Sequence, residues 1–319
     1  MIPLADLESA ARNVYAAMAP TPQYTWPLLS HRAGRDVWVK HENHTPTGAF
    51  KVRGGLNLLA LLTAHEPALP GIISATRGNH GQSLAFAARR HRTLCTIVVP
   101  EGNSVDKNAA MRAFGATLIE YGRDFDEARE HAAVLATENR LRFVGPFEAE
   151  LVAGVGTYAL ELFRAVPDLD TVYVPIGCGS GICGLISARD TLGLDTKIVG
   201  VVAATANAYA LSFAARRPVE TKSAITIADG MAVRVPVPAA LAVIQQGAAR
   251  IVEVTDAEIE DAMRAYFSDT HQIAEGAGAA PFAALLKDGA AAGARAAVIL
   301  TGGNVDRDVY LRVLAGGWS

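Results

Sequence analysis

Short apolar runs alternate with windows of helical periodicity along most of this 319-residue chain, and that alternation limits the possible fold more than any other feature. The runs that we predict to be strands are 37–40, 71–75, 94–99, 117–120, 171–176, 197–202 and 296–300. Several are apolar throughout, as is typical of strands covered on both faces. The helical windows are 82–90, 109–114, 126–139 and 181–192, and Thr255 with Glu258 forms a capping box that opens another helix through 266. This order predicts an α/β fold with mainly parallel sheets flanked by helices.

Composition and charge narrow the class of protein. Half of the residues are hydrophobic and 19% are charged, which is enough for a sizeable core. With 29 basic and 32 acidic residues the net charge is −3, so we expect neither nucleic acid nor a membrane surface as a partner. The N-terminus has no secretory pattern, and the three cysteines form no C-x-x-C pair. We therefore expect a cytoplasmic protein without a structural zinc site.

A glycine-rich loop lies between a predicted strand and a predicted helix. Its residues are Gly177, Cys178, Gly179, Ser180 and Gly181. Glycines let backbone amides face an anion and the helix N-terminus attracts negative charge, so the loop predicts a phosphate site. A tight turn that needs glycine only for steric reasons is the alternative. The loop also fits G-x-G-x-x-G, but the following strand ends at Ala203 without the acid of a dinucleotide site, and no G-K-[ST] is present.

A lysine in the segment P-T-G-A-F-K-V-R-G (46–54) is the candidate catalytic residue. Lys51 lies between Phe50 and Val52, just before a helical run. An apolar environment lowers the pKa of a lysine, as a Schiff-base amine requires. Taken alone, this lysine would be better explained as a solvated side chain.

Four segments in a fixed order carry a resemblance to a known family. They are the lysine segment, S-A-T-R-G-N-H-G-Q at 74–82, the glycine loop, and T-G-G-N at 301–304. Together, and from about residue 28 to 306, they resemble the pyridoxal-phosphate enzymes of the tryptophan synthase β-like fold (fold type II), specifically the serine/threonine dehydratase family. The resemblance implies pyridoxal 5′-phosphate as the cofactor and a homodimer. It also implies a large domain of 1–49 and 141–319 with the phosphate loop and a small domain of 50–140 with the asparagine loop.

Roles follow from the resemblance position by position. Lys51 would bind the cofactor and act as the general base, beside Phe50. Asn79 would bond the 3′ oxygen of the pyridine ring, Thr301 would meet its nitrogen, and Glu275 would lie near the ring. The glycine loop at 177–181 would hold the phosphate. The substrate carboxylate would be bound by the loop that contains Thr76, Arg77, Gly78, Asn79 and His80.

The implied activity is removal of water from a small β-hydroxy amino acid, such as threonine or serine or a derivative, giving a 2-oxo acid and ammonia. Arg77 stands where serine racemases have a serine that acts as the second base, and arginine stays protonated, so racemisation is disfavoured. Val202 and Ala208 stand where metal-activated relatives have carboxylates, so we expect no metal. A β-replacement synthase, a racemase and a non-catalytic cofactor-binding protein remain alternatives.

Overall fold

The computed structural model describes residues 2–316, in which helices surround two separate β-sheets. Residue 1 and residues 317–319, which the predicted large domain includes, lie outside the described residues. The strands in the described range are β1 (Gln23–Thr25), β2 (Asp36–His41), β3 (Gly71–Ala75), β4 (Leu94–Val99), β5 (Thr117–Glu120), β6 (Arg142–Phe143), β7 (Thr171–Pro175), β8 (Lys197–Ala203), β9 (Ala248–Val254) and β10 (Arg295–Leu300). The α-helices are α1 (Leu4–Tyr15), α2 (Pro27–Ala33), α3 (Lys51–His65), α4 (Asn79–Arg90), α5 (Val105–Ala113), α6 (Phe125–Glu138), α7 (Ala149–Ala165), α8 (Ser180–Thr191), α9 (Ala208–Ala215), α10 (Pro238–Gly247), α11 (Asp256–Thr270), α12 (Gly276–Asp288) and α13 (Arg307–Leu314).

The two sheets are almost entirely parallel, as predicted. The larger has the order β1-β2-β10-β7-β8-β9, and only β1 runs antiparallel to its neighbour. The smaller has the order β5-β4-β3-β6 and is parallel throughout. The division into two domains at 50 and 140 stays a prediction.

Burial of both faces explains the continuous apolar strands. In β7, Val172 and Val174 point into one core with α7 and α8, whereas Tyr173 points into the other with α11 and α12. In the small sheet Ile72 and Ile73 divide in the same way between two cores. At ~25 cal/mol per Å² of apolar surface, burial on both faces is the main stabilising term for such strands.

The predicted strands and helices are confirmed to within a few residues, and the capping box of α11 is present. Three strands were not predicted. Two of these, β1 and β6, have only three and two residues, too few to show a period. The third, β9, follows α10 directly, and the single glycine that ends this helix, Gly247, is its only boundary signal in the sequence.

Parallel strands place their carboxyl ends, and therefore the loops that follow them, at one edge of a sheet. The glycine loop follows β7, Thr301 follows β10, and the asparagine loop follows β3 of the small sheet. The three predicted site segments are thus all positioned by buried strands. Within 2–316 no helix combines the length and apolar character needed to cross a membrane.

Candidate active site

The lysine segment is held against the segment that follows β10. The Phe50 amide donates to the Thr301 carbonyl at 2.9 Å, and the Gly303 amide donates to the Gly48 carbonyl at 2.9 Å. An isolated antiparallel bridge joins Ala49 and Gly302 between these two bonds. The first residue of α3 is therefore fixed beside the carboxyl end of β10, which brings Lys51 and Thr301 into one site.

The Lys51 amine points toward the start of α8. Its Nζ donates to Ser180 Oγ at 3.0 Å, and the Phe50 ring centre lies 5.3 Å from the same nitrogen. Burial lowers the pKa of Lys51, because the charged ammonium loses its hydration there. The structure thus joins the predicted Schiff-base lysine to the predicted phosphate loop, and burial shifts the pKa of that lysine in the direction that favours an amine nucleophile.

The glycines of the loop differ in how much room they have. A Cβ on Gly177 would collide with the Gly230 carbonyl oxygen, and Gly179 has φ +99° with the Ala240 Cβ only 2.5 Å from where its own would be. A Cβ on Gly181 would make ordinary contacts, the nearest at 3.5 Å to Phe50. The first two positions therefore require glycine for the turn itself, whereas the third does not.

The amides of the first turn of α8 are free to bind an anion, because no side chain within the described residues caps that helix. Cys178 is half-buried just before it, and burial raises the pKa of its thiol, while the nearby Lys51 charge opposes that shift. The Cys178 carbonyl accepts a hydrogen bond from the Tyr209 hydroxyl of α9 at 3.3 Å, which holds the loop in place.

The asparagine loop forms the start of α4. Thr76 Oγ1 accepts from the Gly78 amide at 3.1 Å and so shapes the turn, and no described side chain caps this helix. Burial lowers the pKa of His80 to about 3, and the charge of Lys51 contributes a smaller part of this shift, so the imidazole is neutral. His80 Nε2 is buried and has no hydrogen-bond partner within 2–316. Arg77, in contrast, is exposed.

Asn79 and Glu275, which lie far apart in sequence, meet in the site. Asn79 Nδ2 donates to Glu275 Oε1 at 2.8 Å, while Glu275 Oε2 is buried without a partner in the described chain. Burial raises the pKa of Glu275 to about 7; the charge of Lys107 opposes this and that of Asp229 adds to it. A carboxyl group in this state can donate or accept a proton near neutral pH.

Two further residues of the site were not predicted. The Lys107 ammonium is paired with the Asp229 carboxylate, and its side chain crosses the backbone of Gly78. Burial lowers the pKa of Lys107, but the charges of Asp229 and Glu275 outweigh it, so the pKa lies above its ordinary value. Nothing in the local sequence of α5 marks Lys107 as a site residue, and Asp229 lies 122 positions away from it.

A buried ionic network anchors the beginning of α3. Arg53 donates to both carboxylate oxygens of Glu42, at 2.7 and 2.9 Å, and to both of Glu161, at 2.6 and 2.9 Å. Lys40 adds a bond to Glu161 at 2.5 Å. Arg53 and Glu42 are fully buried, so the orientation of the helix that begins at Lys51 depends on this network.

Comparison with known proteins extends the likeness over nearly the whole chain. The family model described as pyridoxal-phosphate dependent enzyme matches residues 14–302. An L-threonine ammonia-lyase of Thermotoga maritima is 32% identical over 318 residues, which cover 99% of this chain and 79% of that protein.

Two solved structures superpose closely. A pyridoxal 5′-phosphate-dependent aspartate racemase gives a TM-score of 0.91 at 28% identity, covering 96% of this chain and 97% of that one. The processed form of threonine deaminase isoform 2 from Solanum lycopersicum gives 0.89 at 29% identity, covering 98% and 94%. The chain is therefore similar both to proteins named for deamination and to one named for racemisation.

Proposed function

Because this chain belongs to the family of pyridoxal-phosphate dependent enzymes, we propose that it is a lyase that removes water from a small β-hydroxy amino acid to give a 2-oxo acid and ammonia. Its fold is that of the threonine deaminases of this family, and the relative from Thermotoga maritima is an L-threonine ammonia-lyase. Threonine, serine or a derivative of either is the proposed substrate.

The residues present fit pyridoxal phosphate. The site offers a buried amine of lowered pKa, an uncapped helix N-terminus within hydrogen-bonding distance of it, and two buried polar atoms that have no partner in residues 2–316, Glu275 Oε2 and His80 Nε2. Lys51 would hold the aldehyde end of the cofactor and the glycine loop its phosphate. Phe50, Asn79, Glu275 and Thr301 would surround the ring.

The observation that carries this proposal is the 3.0 Å contact between Lys51 Nζ and Ser180 Oγ. When bound, the cofactor withdraws electrons from the α-carbon of an attached amino acid, which labilises the α-proton and allows a β-substituent to leave. A lysine with a lowered pKa can take that α-proton as a general base.

The amides at the start of α4, in the loop from Thr76 to His80, would bind the substrate carboxylate and so orient the α-carbon toward Lys51. Thr301, buried at the end of β10, carries a hydroxyl group and not a carboxyl group. Its hydroxyl would meet the ring nitrogen without supplying a strong acid, and a cofactor held in this way would favour loss of the β-hydroxyl.

Racemisation is the second candidate, because the aspartate racemase structure matches over 96% of the chain. A racemase needs a second acid/base group on the face opposite the lysine. Arg77 cannot supply one at neutral pH, since its guanidinium stays protonated. The positive charge of Arg77 also fits a substrate whose side chain carries an anionic group.

The test uses the purified full-length protein loaded with pyridoxal phosphate. It is incubated with L-threonine, L-serine and 3-hydroxyaspartate without any second nucleophile, and 2-oxo acid, ammonia and the D-amino acid are quantified. We expect stoichiometric 2-oxo acid and ammonia from wild type and from Lys287→Ala, which removes a surface lysine paired with Glu258, and none from Lys51→Ala. Product that is only the D-isomer, or none without a nucleophile, would contradict the lyase.

Homodimerisation, cytoplasmic location and the two-domain division at 50 and 140 complete the proposal. The three cysteines are free thiols, which fits a reducing compartment. Light scattering of the purified protein measures its mass in solution, and the dimer requires twice the 33.5 kDa of the chain.

A further inference from the structure

Ser180 is the hydrogen-bond acceptor of the Lys51 amine, which donates to this hydroxyl and not to a carboxylate. Among the described residues no carboxylate forms an ion pair with Lys51, and the contact at 3.0 Å is with the neutral hydroxyl of Ser180. An amine that must act as both nucleophile and base is better served by a neutral acceptor, because a carboxylate would keep it protonated.

The local structure makes this hydroxyl available. Ser180 is the first residue of α8 and is 1% exposed, and the helix cap before it is Gly179 in the left-handed region. A serine at the N-cap commonly accepts from the backbone amides of the first turn, but the N-cap of α8 is Gly179 and Ser180 is the first helical residue. Here no side chain caps α8 within residues 2–316, and Ser180 Oγ faces Lys51 instead.

A hydroxyl can accept one hydrogen bond and donate another at the same time. Ser180 Oγ accepts from Lys51, so its own proton is free to be donated to an anion at the N-terminus of α8. One side chain can therefore contact both the amine and the phosphate that the proposed function places there. The other titratable groups near this amine are Cys178 of the loop and His80 of α4.

We propose that Ser180 is a positioning residue that holds the Lys51 amine at the phosphate loop whenever this amine is not bonded to the cofactor. This rests on the proposed function, which makes Lys51 the group that binds and releases the cofactor. The hydroxyl keeps the released amine within reach of its next bond and sets its affinity for a proton.

The test compares Ser180→Ala and Ser180→Gly with the wild type and with Ser187→Ala. Ser187 is a buried serine of the same helix that accepts from the Ile2 amide at 3.1 Å, so it controls for loss of any buried hydroxyl of α8. The full-length proteins, freed of cofactor, are methylated with formaldehyde and cyanoborohydride over a range of pH. Modification of Lys51 is followed by peptide mass spectrometry.

Loss of the acceptor removes a hydrogen bond that favours the ammonium, so both Ser180 variants should label with a midpoint about one pH unit lower than wild type. Ser187→Ala should keep the wild-type midpoint. Pyridoxamine 5′-phosphate, which cannot bond to Lys51, reports the phosphate contact separately. A shifted midpoint supports the proposal whatever happens to that affinity.

An unchanged midpoint overturns the proposal, and weakened pyridoxamine phosphate binding in the same variants would then assign Ser180 to the phosphate alone. Melting curves show whether a variant is misfolded. If either Ser180→Ala or Ser180→Gly fails to fold, the other still provides the test. Labelling needs no turnover, so an inactive wild type with a Ser180-dependent midpoint would refute the lyase and leave this inference standing.

Discussion

Asn304 donates its side-chain amide to Asn79 Oδ1 at 2.8 Å, and this bond fixes which way the Asn79 amide faces. The same Asn304 nitrogen donates to the Thr47 carbonyl at 2.8 Å, so Asn304 itself is held by the segment before Lys51. With its oxygen engaged, Asn79 presents its NH₂ group to Glu275 and to the cofactor site. Asn304, in the segment that follows β10, thus orients Asn79, a predicted cofactor ligand on α4.

Replacement of Asn304 by alanine should therefore weaken cofactor binding although Asn304 has no predicted contact with the cofactor. Loss of one such hydrogen bond predicts a dissociation constant for pyridoxal phosphate about tenfold higher. Absorbance titration of the cofactor-free protein measures it. Asn139→Ala is the matched control, because Asn139 donates only to its own helix at Leu135. Equal affinity in the Asn304 variant and wild type would show that Asn79 needs no such orientation.

Two alanine substitutions in the glycine loop distinguish a phosphate site from a steric turn. Gly177→Ala forces a clash with Gly230, so it should destabilise the protein with or without cofactor, by about 1–3 kcal/mol. Gly181→Ala meets nothing closer than 3.5 Å in the protein. If amides of this turn bind phosphate, its methyl group should weaken cofactor binding, while urea denaturation of the cofactor-free protein should show no loss of stability and a gain of up to about 1 kcal/mol. Unaltered affinity in Gly181→Ala would favour the purely steric turn.

The sequence predicts what depends on local pattern and leaves out what depends on distant partners. Strands 71–75 and 94–99 were predicted with the bounds that the structure has, because most of their residues are buried and apolar. Strand 117–120 was also predicted with its observed bounds, although it is only partly buried. Helix α4 was predicted from 82 but begins at Asn79. Its first residues are polar or glycine, so they show no apolar periodicity that would predict a helix there. The Asn79–Glu275 contact spans 196 positions and leaves no trace in spacing.

Lys107 shows the same limit within the site. It was missed because its partner, Asp229, approaches from a loop of the larger sheet. The family motifs did bring Lys51, Asn79, the glycine loop and Thr301 to attention, although their roles stay predictions. Chemistry carried by a motif can thus be found before the fold is known, whereas a charge pair between separate sheets cannot.

Arg53 should contribute more to stability than any exposed arginine. Arg53→Met removes the only guanidinium shared by Glu42 and Glu161 in the described network and leaves two buried carboxylates with fewer donors. The expected loss is about 3–5 kcal/mol in the free energy of unfolding by urea. Arg164→Met, which breaks an exposed pair with Glu8, should cost about 1 kcal/mol or less. Similar losses in both variants would mean that the buried network has no special weight.

Glu275 should make the stability of the cofactor-free protein fall as pH rises. Burial raises its pKa in the folded state to about 7, above the 4.5 of a free glutamate. A raised pKa means that the folded state binds the proton more tightly than the unfolded state does. The stabilisation is therefore full below about pH 4.5 and is lost as pH rises through about 7, by up to about 3 kcal/mol.

Glu275→Gln keeps the hydrogen-bonding shape without the titration, so it should remove this part of the slope. Urea denaturation at about pH 5 and about pH 8 measures it for both proteins, and the glutamine variant should gain stability relative to wild type at the higher pH. Because groups that do not interact with Glu275 titrate equally in both proteins, the difference between the two reports Glu275 together with the charges coupled to it, Lys107 and Asp229. Glu150→Gln, at an exposed position of α7, serves as the control. A difference independent of pH would mean that Glu275 is ionised throughout, and that Lys107 compensates its charge more fully than its burial implies.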